Sequence, residues 1–204
     1  VHREFESPPL RIIIMKLNIY IYILVLIPHL IFSQNIERLG FVSSIEGSCQ
    51  AQNDQLGRSS YPIIGNSIFN YDIISSDYNS YCEITFDDFA TRIRLDDDTK
   101  IKFITDDYSR IIKLINGSIF IESAKIEEKL YVQTLHNDIY VDNNSIWISS
   151  SALEDKVFSI GSKLNIYNNF ISSKLVLTPL ILYGIDKIGN VQSNLDFELP
   201  YYVT

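Results

Sequence analysis

Pro62-Ile-Ile-Gly-Asn-Ser-Ile68, Tyr81-Cys-Glu-Ile-Thr-Phe86, Thr91-Arg-Ile-Arg-Leu95, Ile101-Lys-Phe103, Ile111-Ile-Lys-Leu-Ile115 and Ser118-Ile-Phe-Ile121 follow one another in the segment from Pro62 to Ile148. Apolar and polar residues alternate along these runs. Three of them stop at Asp87-Asp88, at Asp96-Asp97-Asp98-Thr99 and at Asn116-Gly117. Successive side chains of a strand point to opposite faces, so period-two alternation marks strands with one face in a core. Asp, Asn and Gly tolerate turn geometry and bond nearby backbone. The segment therefore predicts a stack of hairpins in an all-β, short-stranded antiparallel β-roll or sandwich. Asn116-Gly117 is the strongest of the turn signals, because a two-residue turn needs positive φ at both central positions and this pair supplies it. Gly47, Gly65, Asp87, Asp98, Thr99, Asn116 and Gly117 are the residues expected to set turns.

Strand patterning continues past the ladder, in Val157-Phe-Ser-Ile-Gly161, Lys163-Leu-Asn-Ile-Tyr167, Lys174-Leu-Val-Leu177, Leu180-Ile-Leu-Tyr183 and Tyr201-Tyr-Val203. Pro179 predicts an edge or a turn there. No Pro- or Gly-rich linker separates the two regions. The expected organisation is a β domain over 38–152, with 153–204 completing or extending it.

Upstream, Met15-Lys16 opens an apolar block, Leu17 to Phe32, that closes at Ser33-Gln34 before the polar Asn35-Ile36-Glu37-Arg38. A charged start, an apolar block and a small residue at its end make a secretory signal peptide over 15–33. Residues 1–14 then read as an upstream extension from a misassigned start. The alternative is an uncleaved anchor, since about 20 apolar residues span a bilayer. Either way the domain is expected on the periplasmic or secreted side, with membrane contact only if the leader stays.

Export would place Cys49 and Cys82 in an oxidising compartment, where they can pair; equally, a buried lone thiol is an ordinary small apolar residue. His2, His29 and His136 are scattered and offer no metal-ligand spacing, so neither a metal nor a cofactor is expected. The net charge of −8 argues against nucleic acid, which needs a basic face to release counterions, and the Lys and Arg residues are not expected to cluster into one.

Asp87-Asp88, Asp96-Asp97-Asp98 and Asp106-Asp107 are the first residues to weigh for acid–base work or calcium. Each sits where a strand stops, and an Asp there is explained by its bond to following backbone N–H groups. None has EF-hand spacing. Ser44, Ser75 and Thr134 lie in no nucleophile-elbow motif, and His136 in Leu135-His-Asn-Asp138 reads as a turn residue. No residue is assigned a catalytic role. Tyr61, Tyr71, Tyr78, Tyr81, Tyr108, Tyr131, Tyr140 and Tyr167 either fill cross-strand pairs or line a face for sugar or peptide. Trp147 alternates with Ile146 and Ile148 and faces away from them, as a core anchor or an exposed contact.

The runs Ser43-Ser-Ile-Glu-Gly47, Pro62-Ile-Ile-Gly-Asn66, Asp72-Ile-Ile-Ser75, Asp77-Tyr-Asn-Ser80 and Glu83-Ile-Thr-Phe-Asp-Asp88 resemble the opening of FecR domains. The likeness extends through Arg92-Ile-Arg-Leu95, Asp98-Thr-Lys-Ile101 and Leu114-Ile-Asn-Gly-Ser118, the last matching that family's Leu-x-x-Gly-Ser turn. The chain departs from the family at Asp87-Asp88-Phe89, where Asp-Gly is usual, and at Asp142-Asn-Asn-Ser-Ile146, where Gly-Thr is usual. The resemblance covers about half the chain, Phe41 to Ile148. It implies an extracytoplasmic module without catalytic residues, binding an envelope protein or a glycan in a bacterial cell envelope. Regulation of a sigma factor is not expected to carry over. The alternatives are a sensing component of an envelope signalling system and a carbohydrate-active enzyme using the Asp clusters.

Overall fold

The computed structural model describes residues 36–106, 108–124 and 128–193, so the leader, residues 1–14 and Tyr201–Val203 lie outside the described residues. No helix occurs among the described residues. The described residues form seventeen strands, numbered in chain order. The first nine are β1 (Arg38–Glu46), β2 (Cys49–Asn53), β3 (Arg58–Ser60), β4 (Ser67–Phe69), β5 (Ile73–Ser76), β6 (Tyr81–Phe86), β7 (Thr91–Leu95), β8 (Lys100–Thr105) and β9 (Ser109–Ser123). The rest are β10 (Lys129–Gln133), β11 (Asn137–Val141), β12 (Asn144–Ser150), β13 (Glu154–Ser159), β14 (Leu164–Asn168), β15 (Ser173–Leu177), β16 (Leu182–Asp186) and β17 (Val191–Ser193).

The strands form two sheets. Sheet A runs β4-β1-β6-β7-β9-β12-β13-β16-β17. Sheet B runs β3-β2-β5-β8-β9-β10-β11-β14-β15. All these pairs are antiparallel except β9 with β10, which is parallel. The inner faces meet in one core, in which Ile84, Ile93, Ile121 and Ile146 of sheet A pack with Ile74, Ile101, Val132 and Ile139 of sheet B. Burial along β2 and β14 alternates as the period-two pattern requires. The strands beyond residue 153 extend both sheets.

β9 corrects the hairpin expected at Asn116-Gly117. Ser109–Ser123 is one strand: its first half pairs with β8 and β10 in sheet B, its second half with β7 and β12 in sheet A. Gly117 has φ +90, whereas Asn116 is absent from the positive-φ residues. A two-residue turn needs both. The single left-handed residue instead bends the strand out of one sheet into the other.

The same bend belongs to a stack of corners. The chain crosses between sheets at Gly47-Ser48, at Asp77–Ser80, at Asp96–Thr99 and within β9, and neighbouring corners are bonded together. Asp77 N donates to Ser48 O (3.0 Å) and Asp98 N to Asp77 O (3.3 Å). Asn116 Nδ2 donates to Asp98 O (2.8 Å), and Ser118 N to Thr99 Oγ1 (2.9 Å). The sequence ladder is thus only partly a stack of hairpins, and at these four places its turn residues make corners between layers. Pro62–Asn66 is a turn rather than strand, closed by Asn66 Oδ1 accepting from Ile63 N (2.9 Å).

Two buried carboxylates tie the layers. Asp72 accepts from Asn53 Nδ2 (2.6 Å), Arg58 Nη2 (2.7 Å) and Phe69 N (2.9 Å). Asp155 accepts from Thr134 Oγ1, Asn137 Nδ2 (2.6 Å) and Ser150 Oγ (2.6 Å). Every such bond offsets desolvation of the carboxylate.

Candidate functional site

Side chains that alternate out of the core line the outer face of sheet B, and the strand register sets them in two cross-strand rows. One row reads Ile104, Ile111, Tyr131, Tyr140, Asn165 and Val176 over β8, β9, β10, β11, β14 and β15. Beside it runs Lys102, Lys113, Gln133, Asp138, Tyr167 and Lys174 over the same strands. Between the rows lies an open groove of about 380 Å³, within the size range of small-ligand sites.

Aromatic and polar groups converge there. The Tyr131 and Tyr140 rings are tilted at 46° with centroids 5.4 Å apart, and Tyr167 is 44% exposed. Partial desolvation, with Asp142 and Tyr131 adding repulsion, raises the Tyr140 phenol above its ordinary value. Asp138 Oδ1 accepts from Gln133 Nε2 (3.1 Å) and Asn169 Nδ2 (3.2 Å). Lys100 and Lys129 share this face, and none of Lys100, Lys102, Lys113, Lys129 and Lys174 forms an ion pair among the described residues. The expectation that the basic residues do not cluster is therefore corrected. These lysines are scattered along the chain and are gathered by register, which a linear reading does not contain.

Sheet A presents a different outer face. Its row is Glu83, Arg94, Phe120, Trp147, Phe158 and Leu182 across β6, β7, β9, β12, β13 and β16. Phe120, Trp147 and Leu182 are buried as a second small cluster. Charges there satisfy one another: Glu83 accepts from Arg94 Nε (2.7 Å), Ser43 Oγ (2.9 Å) and Tyr81 OH (3.1 Å). Burial alone would raise the Glu83 carboxyl, but these three donors hold it below the usual carboxylate range. At one end, Glu46, Arg94, Asp96 and Asp97 line a cleft of about 330 Å³. Burial, with Asp97 adding repulsion, pushes the Asp96 carboxyl up to about 6, while the Trp147 indole pulls the other way.

The expected site residues are spread over the fold. Asp88 Oδ1 accepts from Ala90 N (2.8 Å) and Thr91 N (3.2 Å), and Asp106 Oδ1 from Tyr108 N (2.9 Å) and Ser109 N (2.8 Å), both in true hairpins. Asp87 pairs with Arg38 at 3.1 Å instead, and Asp107 lies outside the described residues. No group of three or more His, Cys, Asp and Glu is placed to hold a metal among the described residues. Gly65 N donates to Val42 O (2.8 Å) in the turn before β4. Of the tyrosines, Tyr131, Tyr140 and Tyr167 come together. Tyr71 lies near Lys102, Tyr61 OH accepts from Gln50, Tyr81 serves Glu83, and Tyr78 and Tyr108 stand exposed.

Cys49 of sheet B and Cys82 of sheet A are buried and unbridged. Cys49 Sγ donates to Tyr81 O (3.6 Å), the carbonyl next in the chain to Cys82. The neighbouring Cys82 draws the Cys49 thiol below its ordinary value, against burial, while Cys49 and then burial push the Cys82 thiol up.

No protein-family profile matches the chain. It is 28% identical over 142 residues to the "Probable serine/threonine-protein kinase gdt4" of Dictyostelium discoideum, covering 70% of this chain and 8% of that protein. Two crystal structures of a putative anti-sigma factor from Parabacteroides distasonis superpose with a TM-score of 0.52 at 17% identity. They match 60% of this chain, which spans 58% of theirs. At that identity the likeness is one of fold.

Proposed function

We propose that the chain is a FecR-like, non-catalytic binding module of the cell envelope, working on the extracytoplasmic side of a membrane, and that the outer face of sheet B is its contact surface. One observation carries this reading. Three tyrosines, two side-chain amides and a carboxylate share an open groove over β10, β11 and β14, whereas sheet A's outer face is occupied by its own Arg–Glu and aromatic contacts. Tyrosine offers a large apolar surface with a polar tip, and convergent amides fix orientation. The carboxylates of Asp88 and Asp106 hold backbone N–H groups, which supports a structural rather than a catalytic reading of those clusters.

The test is binding of the fluorescently labelled chain to its native envelope fraction, for wild type and for Tyr131→Ala/Tyr140→Ala. Both side chains face outward, so the variant should fold while losing at least tenfold in retention. Undiminished retention by a folded variant rules out this face.

A second reading makes the module the sensing part of a signalling system. Both named matches favour it, one being described as a protein kinase and the other as an anti-sigma factor. A neighbouring sigma-factor gene with an outer-membrane transporter, or a membrane-linked kinase segment in the same transcript, distinguishes it.

A further inference from the structure

The charge pattern across sheet B narrows the ligand. We infer that this face takes a linear acidic polysaccharide, a sugar chain bearing carboxylate or sulfate groups; the inference rests on the outer face of sheet B being the contact surface.

The rings and polar groups suit a sugar. A pyranose ring presents a C–H face that packs on aromatic carbon and a rim of hydroxyls that both donate and accept. Tyr131 and Tyr140 give the packing surface. Asn165 beside Tyr140 and Gln133 beside Asp138 each carry both kinds of hydrogen-bonding atom. Asp138 accepts only, and both of its protein donors reach a single oxygen, Oδ1.

Charge complementarity selects an acidic chain. The protein carries −8 overall, yet this face gathers Lys100, Lys102, Lys113, Lys129 and Lys174 against Asp138. Lys102 and Lys113 stand directly opposite each other on β8 and β9, an arrangement that destabilises a sheet unless an anion lies between the two. No such anion is supplied among the described residues. The lysines flank the aromatic row on both ends, Lys102 and Lys113 at β8–β9 and Lys174 at β15. Adjacent strands are about 4.8 Å apart, so the row spans roughly 24 Å from β8 to β15. That length fits several linked sugars with spaced charges.

Single-stranded nucleic acid combines rings with charge too, and is the less suited occupant. It brings a phosphate at every unit, including opposite Asp138 in the middle of the polar row. The tilted Tyr131–Tyr140 pair leans together and leaves no gap for a base.

The experiment is titration of the chain, by calorimetry and affinity electrophoresis, with polygalacturonate, dextran sulfate, neutral dextran and oligothymidylate at two salt concentrations. Binding to one or both acidic polysaccharides is expected, weakening as salt rises and at least tenfold tighter than to dextran or oligothymidylate. Lys102→Glu/Lys113→Glu should weaken it tenfold or more with an unchanged circular dichroism spectrum. Lys187→Glu, the same reversal in the exposed turn between β16 and β17, should not. Equal binding to dextran would overturn the charge selection, and equal binding to oligothymidylate would make the face a general polyanion site. No binding to any of the polymers overturns the inference outright. If the tyrosine variant still fails to hold envelope material while no polymer binds, the ligand class is wrong and the contact surface stands. If neither variant alters any binding, both fall together.

Discussion

Gly117 lies against Thr99 so closely that a Cβ on Gly117 would fall 2.3 Å from Thr99 Oγ1 and 2.6 Å from Thr99 Cα. The same hydroxyl accepts from Ser118 N (2.9 Å) and donates to Ser118 O (3.1 Å). Two corners of the roll are thereby pressed together where β9 changes sheets, and backbone atoms cannot yield as a flexible side chain could.

Gly117→Ala should therefore cost more than its φ alone would require. Gly57 is the internal control, with φ +58 in the β2–β3 turn and no atom within 4 Å of the place a Cβ would take. A non-Gly residue in the left-handed region costs about 1–2 kcal/mol, which is the expectation for Gly57→Ala. Overpacking adds typically about 1–3 kcal/mol at Gly117. Urea midpoints of the two variants measure the difference. Equal midpoints would mean that the Thr99 contact does not constrain the corner.

Asp155→Ala should be among the most damaging single changes in the chain. The carboxylate is fully buried, and its loss strands donors on Thr134, Asn137 and Ser150. Leaving buried donors unsatisfied costs about 1–3 kcal/mol each, partly relieved by water. Asp87→Ala removes a carboxylate whose partner Arg38 and itself are about half exposed; such pairs contribute roughly 0–1 kcal/mol. Chemical denaturation should thus separate the two by several-fold. Comparable losses would count against the network.

Alternation in Tyr81–Phe86 and Thr91–Leu95 was enough to read the β class, because one face of Thr91–Leu95 is buried and the other is not, and in Tyr81–Phe86 only Thr85 departs from that pattern. The corners were less legible. Asn116-Gly117 carries the local signal of a two-residue turn, and only contacts from Thr99, 18 residues earlier, turn that flexibility into a bend within a strand. The binding face was half visible. Tyr131, Tyr140 and Tyr167 stand out as residue types, but their meeting depends on β10, β11 and β14 lying side by side. Lys102 and Lys113 come opposite each other through the unshifted register of the β8–β9 hairpin, which runs from Thr105 opposite Arg110. Parity along each strand places these lysines on the outer face, whereas the pairings of β9 with β10 and of β11 with β14, which bring Lys129 and Lys174 to the same face, join strands apart in sequence and leave no trace in local pattern.

Cys49 and Cys82 should close a disulfide when the chain folds in an oxidising medium. Cys49 Sγ reaches Tyr81 O, one residue from Cys82, at 3.6 Å, which places the two buried thiols near each other across the sheets, and closing the bond passes two electrons and two protons to a disulfide oxidant such as oxidised glutathione. The bond would pin β2 to β6 and add about 3–4 kcal/mol in the chain-entropy picture. Alkylation followed by intact-mass measurement, after refolding with oxidised glutathione, reads the outcome. Two alkyl groups per chain would sink the idea; none, with two appearing after reduction, is expected.

Asp96 gives the fold a pH dependence of unusual sign for a carboxylate. Its carboxyl is pushed from 3.8 up to about 6, so the folded state binds the proton more tightly than the unfolded chain does. The stability it contributes is present in full below about pH 3.8 and is lost as pH rises through about 6. Asp97, Glu46, Arg94 and Tyr81 face it in the cleft, and burial is the largest cause of the shift. Asp96→Asn keeps the size and a carbonyl acceptor for the Trp147 indole while removing the titration. The variant should melt close to wild type at pH 4 and above it at pH 8, the gap opening between those values. Differential scanning fluorimetry across that range, with Asp97→Asn as the neighbouring control, is the measurement. A gap that stays constant with pH, or a variant less stable than wild type at pH 8, would show that Asp96 is comfortably ionised beside Trp147 and that the cleft is open to water.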